Sequence, residues 1–293
     1  MYEQYYGFVE KPFSLTPDPK YLYRSESHAS AFELLQYAID RREGFTAITG
    51  DIGTGKTTLC RALLEHTDRR TFTALLLNPF LSEEDLIKAI LQDLGVVSRD
   101  DERRTGRPRS KQDLIMTLYD FLISLVPLRA RVVVIIDEAQ NLPLPLLEQI
   151  RILSNLETDK EKLLQIILVG QLNLMPLLRS PELRQLDQRI SIRYQLKPLS
   201  ADETTAYIAH RLAVANGSRT VTFLPKAVHR IYGYSGGIPR LINLLCDRSL
   251  LGAFSAQSAR ITPDLVDVAA EGLDLKAGEA VSWFGRMRKV LSS

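Results

Sequence analysis

The hydrophobic positions of the chain follow two different periodicities up to about residue 198. Short apolar runs rich in β-branched residues alternate with longer stretches in which apolar residues recur every three or four positions. The short runs predict buried strands, and the longer stretches predict amphipathic helices. The predicted strands are 44–49, 71–77, 131–136, 163–169 and 190–194. Because strands and helices alternate, the pattern predicts an α/β fold whose parallel five-stranded sheet has right-handed crossovers and flanking helices.

The pattern changes after residue 198, where we find only helical periodicity. Residues 199–272 are therefore predicted to form a small all-α lid domain, following an αβα base at 25–198. A capping box at Ser200 and Glu203 marks where the first helix of this region begins. The predicted helices of this region are 200–216, 224–233, 238–255 and 262–272.

A glycine-rich stretch lies between the first predicted strand and the helix that follows it. Residues 50–57 fit G-x-x-x-x-G-K-[ST], the pattern of a phosphate-binding loop. Its glycines let backbone N–H groups curl around phosphate oxygens, and the helix N-terminus adds its positive dipole end. Lys56 is expected to reach the β- and γ-phosphates, and the Thr57 hydroxyl to hold Mg²⁺. The predicted nucleotide-binding residues are Gly50, Asp51, Ile52, Gly53, Thr54, Gly55, Lys56, Thr57 and Thr58.

Two acids follow the most apolar of the predicted strands. Its five consecutive β-branched residues predict a strand buried on both faces, hence central in the sheet. In a phosphate-loop protein, Asp137 is placed to bind Mg²⁺ through water and Glu138 to polarise the attacking water. The paired acids could instead cap the next helix, but the phosphate loop in the same chain favours the catalytic interpretation.

Other polar residues are candidates because of their places in the predicted elements. Gln171 follows the fourth strand and is expected to contact the γ-phosphate or the water, with Asn173 as the alternative. Arg240 lies in the first turn of a predicted helix, where the helix dipole disfavours a cation unless an anion such as a nucleotide phosphate is near. His28, in the first turn of another predicted helix, is interpreted as a surface or capping residue.

Composition and charge narrow the classes of protein further. The net charge of +2 provides no global attraction to nucleic acid or to an anionic membrane. No apolar run approaches the roughly 18 residues of a membrane-spanning helix, and the polar, aromatic N-terminus does not have the pattern of a signal peptide. Cys60 and Cys246 are predicted to be buried thiols. A cytoplasmic location is predicted, with the inner face of the membrane as the further option.

Segments outside the predicted strands and helices have distinct compositions. Residues 1–24 combine closely spaced prolines with aromatic residues, which predicts an extended arm packed onto a domain. This arm would contribute either to an adenine pocket or simply to hydrophobic anchoring. The basic segment 98–111 predicts a surface loop that is either solvated or in contact with DNA or a partner. Residues 273–293 form a short basic tail able to contact a membrane or a partner.

Several short motifs accompany the phosphate loop: Tyr6–Phe8, Lys11–Phe13, Thr16–Pro19, Asp137–Gln140, Leu168–Gln171, Leu183–Ile190 and Gly236–Arg240. With them the chain resembles an AAA+ ATPase over about residues 1–272. More narrowly, it resembles the ExeA-type family of general secretion pathway protein A. Members of that family often continue into a membrane helix and a peptidoglycan-binding domain, which are not found in these 293 residues.

The resemblance implies a role for each of the candidate residues. Residues 50–58 would correspond to the Walker A motif, and Asp137 and Glu138 to the Walker B motif. Gln171 would correspond to sensor 1 and Arg240 to sensor 2. An arginine just before the last core strand is implied to act in trans on the nucleotide of a neighbouring copy. Arg189 fits that role best, and Arg184 is the alternative.

The implied function is Mg²⁺-dependent hydrolysis of ATP to ADP and phosphate by a homo-oligomeric ring or filament. Such an ATPase would drive assembly or remodelling of a cell-envelope machine for secretion, pili or exopolysaccharide. The alternative is an ATP-dependent, DNA-binding regulator of transposition that recruits a transposase. A nucleotide-gated scaffold is a third interpretation, and the presence of Glu138 argues against it.

Overall fold

The computed structural model describes residues 2–77, 82–98, 110–158, 161–216 and 221–276. Most of the basic segment and of the basic tail lies outside these described residues, so the predictions made for them are not tested. The predicted boundaries of arm, base, lid and tail also stay predictions. Within the described residues, no helix is both long enough and apolar enough to cross a membrane.

Contacts between Cα atoms divide the chain into two compact units. The helical unit contains the described parts of Met1–Ala29, Asp51–Ala62 and Leu196–Ser293. The sheet unit contains the described parts of Ser30–Gly50 and Leu63–Gln195. The phosphate loop and the N-terminal segment are therefore grouped with the helical C-terminal segment.

The sheet unit is built on five strands in the order β2-β3-β4-β1-β5. The strands are β1 Phe45–Gly50, β2 Thr71–Leu76, β3 Arg131–Ile136, β4 Gln165–Gly170 and β5 Ile190–Leu196. Every residue of β1 and β4 is buried, which explains why polar and apolar residues do not alternate along these strands. The predicted parallel five-stranded sheet with flanking helices is confirmed.

The register of the central strands determines which strand ends lie side by side. β3 pairs in parallel with β4, with Ile136 opposite Leu168. The residues that follow Ile136 and those that follow β4 therefore leave the sheet at the same edge. Asp137 and Glu138 follow β3, and Gln171 follows β4, so all three lie along this edge.

Helices precede and connect the strands of the sheet. They are α2 Glu26–Arg41, α3 Lys56–His66, α4 Glu83–Asp93, α5 Lys111–Leu125, α6 Leu144–Leu153, α7 Leu174–Leu178 and α8 Arg184–Asp187. The N-terminus of α5 has a capping box, in which the Ser110 hydroxyl accepts from the Asp113 backbone N–H and the Asp113 carboxylate accepts from the Ser110 backbone N–H. Its leucines at four-residue spacing are buried in the core, as an amphipathic helix requires.

The helical unit contains α1 Tyr2–Tyr6, α9 Ala201–Val214, α10 Pro225–Ser235, α11 Pro239–Ser255 and α12 Pro263–Glu271. It also contains two short parallel strands, β6 Thr222–Phe223 and β7 Arg260–Ile261. The prediction of helices alone is therefore wrong at these two places. A strand of two residues has no periodicity to detect, and its pairing partner is distant in the sequence.

The N-terminal segment is extended only in part, because its first residues form α1. Its aromatic side chains, among them Tyr6 and Phe13, are buried in the core of the helical unit. Arg211 holds the segment by donating from Nε to the Pro12 carbonyl oxygen and from Nη2 to that of Ser14, at 2.5 and 2.9 Å. The predicted packing of aromatic residues is confirmed, and these contacts are those of hydrophobic anchoring.

Both cysteines are buried, as predicted, and neither forms a disulfide bond in the part of the chain that the structure describes. Cys60 lies in α3 and Cys246 in α11, both on apolar faces. Burial raises the pKa of the Cys246 thiol, so this group behaves as a small apolar side chain.

Candidate active site

The phosphate loop adopts a backbone that its glycines make possible. Gly53 and Gly55 have φ angles of 81° and 97°, in the left-handed region. A Cβ on Gly53 would come within 2.5 Å of Cβ of Arg240, and one on Gly55 within 3.1 Å of Nε2 of His28. These glycines are therefore required by the conformation of the loop and also by the groups packed against it.

Lys56 is the first residue of α3, and it is only 5% exposed. Its Nζ donates to the carbonyl oxygen of Asp51 at 2.8 Å. The hydroxyl of Thr54 donates to the same oxygen at 2.8 Å. A curled loop with a nearly buried ammonium at a helix N-terminus is suited to an anion, and a nucleotide phosphate fits this chemistry.

His28 is a buried support of this loop, so its interpretation as a surface residue is wrong, whereas its backbone N–H does bond the Ser25 hydroxyl that precedes α2. It is 4% exposed, and its Nε2 lies 2.9 Å from the carbonyl oxygen of Thr54. Because a carbonyl can only accept, Nε2 carries the proton, and Nδ1 accepts from the Ser25 hydroxyl 2.7 Å away. Burial lowers the pKa of His28, which agrees with a neutral ring.

Arg240 lies beside the same loop, in the first turn of α11. Its backbone N–H donates to the carbonyl oxygen of Gly53 at 3.1 Å. The side chain is exposed, and its guanidinium has no ion pair or hydrogen bond within the described ranges. A cation without a partner next to a phosphate loop is consistent with the predicted contact to a nucleotide phosphate, which stays a prediction.

The acids after β3 adopt an unusual local conformation. Asp137 is buried, and its Oδ1 accepts from the backbone N–H of Glu138 at 2.9 Å. Glu138 has a φ angle of 54°, where a residue other than glycine is strained by about 1–3 kcal/mol. It precedes a short 3-10 helix, Ala139–Asn141, and makes no capping hydrogen bond with its side chain. The alternative role of Glu138 as a helix cap is therefore not supported.

Two glutamine amides converge on the carboxylate of Glu138. Its Oε2 accepts from Nε2 of Gln140 at 2.7 Å and from Nε2 of Gln171 at 3.1 Å. Gln171 thus lies against the acid, and its predicted contact with the γ-phosphate or the water stays a prediction, whereas Asn173 is exposed and bonds to neither acid. No role was predicted for Gln140 from the sequence. Its only signal was its place two residues after the acid, in the motif Asp137–Gln140.

Arg189 and Arg184, the two candidates for the single arginine that acts on a neighbouring copy, differ in their surroundings. Nη1 of Arg189 donates to Ser154 Oγ at 2.8 Å and to Asn155 Oδ1 at 2.6 Å. Both acceptors follow the C-terminus of α6, where cations are favoured. Arg184 begins α8 and is exposed, and its side chain has no partner among the residues described. Only Arg184 therefore has a guanidinium available for another molecule without loss of existing contacts.

These features define a class: the parallel sheet, the phosphate loop and the strand-end acids are those of a P-loop nucleotide-binding fold of the AAA+ type. The family model described as an AAA domain matches residues 39–178. Cdc6p from Pyrobaculum aerophilum superposes with a TM-score of 0.68 at 18% identity, covering 90% of this chain and 71% of that one. ORC2 from Aeropyrum pernix gives 0.65 at 17% identity, covering 90% and 72%. At these identities the similarity establishes the fold alone.

A closer similarity points to one family within that class. The chain is 44% identical over 274 residues, 92% of its length, to general secretion pathway protein A from Aeromonas hydrophila. It spans 48% of the length of that protein. The predicted resemblance to the ExeA-type family and the presence of an AAA domain are confirmed. Together with the fold, the AAA domain supports ATPase activity as the class of enzyme.

Proposed function

We propose that this chain is a Mg²⁺-dependent ATPase that works as a homo-oligomer and drives assembly or remodelling of a cell-envelope machine. The observation that carries the catalytic part is the Glu138 carboxylate, held by two amides at the end of β3. The identity to a protein named for general secretion supports the cellular part. We place the protein in the cytoplasm, at the inner face of the membrane.

Nucleotide binding is assigned to the phosphate loop and to Arg240. The backbone N–H groups of the loop and Lys56 would bind the phosphates, and the exposed guanidinium of Arg240 would add a further positive charge. Mg²⁺ would be held by the Thr57 hydroxyl and, through water, by Asp137, and when bound it neutralises charge on the β- and γ-phosphates. Few protein ligands suffice, because Mg²⁺ retains water and phosphate oxygens in its coordination shell.

Hydrolysis is assigned to Glu138 acting on water. Its Oε2 is occupied by the two amides, whereas its Oε1 has no hydrogen bond to any described residue. Oε1 is therefore the atom available to accept a proton from the attacking water. Gln171, which donates to the same carboxylate, would sense the γ-phosphate from the end of β4.

The oligomer is required because the arginine that completes catalysis comes from a neighbouring copy. Such a residue raises the rate by roughly 10³–10⁵-fold. Both Arg184 and Arg189 precede β5, but Arg189 already caps α6. The contacts therefore favour Arg184, with Arg189 as the alternative.

The test is the dependence of ATP hydrolysis on protein concentration. The rate per protomer is expected to rise with concentration and to reach a plateau as the oligomer forms. A rate that is constant over a thousandfold range would contradict an oligomeric site. The same assay with duplex DNA tests the transposition alternative, which predicts that DNA stimulates ATP hydrolysis. A DNA-binding assay at increasing salt is the second test, because phosphate contacts predict a steep loss of DNA affinity with salt.

A further inference from the structure

Both the nitrogen and the oxygen of the Gln140 side-chain amide form hydrogen bonds within the sheet unit. Its Nε2 donates to Oε2 of Glu138 at 2.7 Å, and its Oε1 accepts from the backbone N–H of Gln171 at 2.9 Å. The second bond determines the orientation of the amide, because only the oxygen can face an N–H. The NH₂ group must then face the carboxylate. Gln140 thus connects the acid after β3 to the backbone that leaves β4.

The space for this amide exists only because β4 ends in glycine. A Cβ on Gly170 would lie 2.7 Å from Oε1 of Gln140 and 2.8 Å from Cδ2 of Leu174. No other residue at position 170 would leave the amide where it is. Gln140 itself is 9% exposed, so water is largely excluded from its two hydrogen bonds. Both bonds are stronger in such surroundings than at the surface.

A comparison within the same unit shows that a buried glutamine need not be used in this way. Gln149 in α6 is also buried, yet its Nε2 has no hydrogen-bond partner among the residues that the structure describes. A glutamine amide can therefore be buried in the sheet unit while its NH₂ group makes no hydrogen bond to a described residue. Gln140, in contrast, has a donor and an acceptor aimed at two residues on different strand ends.

We propose that Gln140 is a positioning residue for hydrolysis: it fixes the carboxylate of Glu138 so that Oε1 is presented to water. This inference rests on the proposed function, because Glu138 must be the base for its orientation to matter. The strained φ of Glu138 persists only while neighbouring groups hold it, and the Gln140 amide is one of these groups. The amide acts on the acid and is assigned no contact with the nucleotide.

The first test is a kinetic comparison of two isosteric variants, Gln140→Met and Gln149→Met. Methionine retains the length of glutamine and removes its hydrogen bonds. Gln140→Met is expected to lower kcat by about 10–100-fold, since small misplacements of a catalytic group have effects of this size. KM for ATP should stay within about threefold, because no phosphate contact is lost. Gln149→Met should leave both constants near those of the parent.

The second test requires no activity and uses the chain without nucleotide. Urea unfolding, followed by circular dichroism, is measured for Gln140→Met, Glu138→Ala and the double variant. Their effects on the unfolding equilibrium constant should be non-additive by about 10-fold, as expected for a hydrogen bond to a charged group. The same cycle with Gln149→Met in place of Gln140→Met should be additive.

Each outcome separates the inference from the function on which it rests. Additive effects of Gln140→Met and Glu138→Ala would overturn the inference, and so would an unchanged or increased kcat of Gln140→Met. An equal loss of kcat in Gln149→Met would show a general packing effect and would also overturn it. A parent chain that hydrolyses no ATP at any concentration would refute the proposed function, while the unfolding cycle would still decide whether Gln140 holds Glu138.

Discussion

Nε2 of His28 donates a hydrogen bond to the backbone carbonyl oxygen of Thr54, 2.9 Å away. The histidine lies in the first turn of α2, and Thr54 lies in the middle of the phosphate loop. A buried, neutral imidazole therefore holds the loop through its backbone, and Gly55 leaves room for the ring because it has no Cβ. The conformation of the loop is thus linked to the protonation state of a single side chain.

We expect this link to make stability depend on pH below neutrality. Burial lowers the pKa of His28 in the folded state, so the unfolded chain binds a proton more readily as the pH falls below about 6.5. The free energy of unfolding should consequently fall between pH 7.5 and pH 5.5. In His28→Gln, whose amide can still donate to Thr54, this fall should be smaller. Urea midpoints at the two pH values measure the difference.

The exposed His229 provides the control for this experiment. His229→Gln should retain the full fall in stability of the parent chain. If His28→Gln showed a fall as large as that of the parent, the buried imidazole would not be a source of the pH dependence.

Gly53→Ala is expected to abolish nucleotide binding. The new Cβ would lie 2.5 Å from Cβ of Arg240, and the φ angle of 81° is unfavourable for alanine. Gly95→Ala is the matched control, because Gly95 has a φ angle of 73° but no heavy atom within 4 Å of the added Cβ. That control should lose only about 1–2 kcal/mol of stability. Calorimetric titration with an ATP analogue distinguishes the two variants, and equal binding by both would contradict the crowding at Gly53.

Gly237→Ala should be among the most destabilising substitutions in the helical unit. Its Cβ would lie 1.9 Å from the carbonyl oxygen of Leu199, a backbone atom that cannot rotate away. The expected loss is above about 3 kcal/mol. Gly7→Ala also has positive φ but open space around it, so it should lose far less. Thermal melting measures both, and similar melting temperatures would refute the clash.

Arg184→Ala is expected to change the ATPase activity but not the stability, whereas Arg189→Ala is expected to lower the stability. Arg184 has no partner in the described residues, so its loss should leave the melting temperature unchanged and remove the rise of ATPase rate with concentration. Arg189→Ala breaks the contacts with Ser154 and Asn155 and should destabilise the protein by about 1–3 kcal/mol. Nucleotide binding should persist in Arg184→Ala.

Arg69→Ala, at an exposed position before β2, is the control for both arginine variants. It should change neither stability nor the concentration dependence. If Arg189→Ala alone removed the rise in rate, the assignment would move from Arg184 to Arg189.

The elements of the fold could be predicted because their signals are local. The apolar run at 131–136 and the leucines of α5 each reveal their structure within one short window of sequence. The phosphate loop is equally local, since its glycines and Lys56 are consecutive in the chain. Local reasoning failed for α1, because the prolines that disfavour a helix lie only after its last residue, Tyr6. It also failed for the two-residue strands β6 and β7, which exist through pairing alone.

The amino-acid sequence alone was sufficient to predict the α/β architecture and the phosphate loop. It was also sufficient to locate the two acids after β3 and the polar residue after β4. The tertiary structure decided which side chains meet: His28 with Thr54, Gln140 with Glu138 and Gln171, and Arg189 with the end of α6. The partners Gln140 and Gln171 are 31 residues apart, and His28 and Thr54 are 26 apart. Periodicity carries no information at such separations, because a hydrogen bond between distant residues depends on strand register and packing rather than on either residue's neighbours.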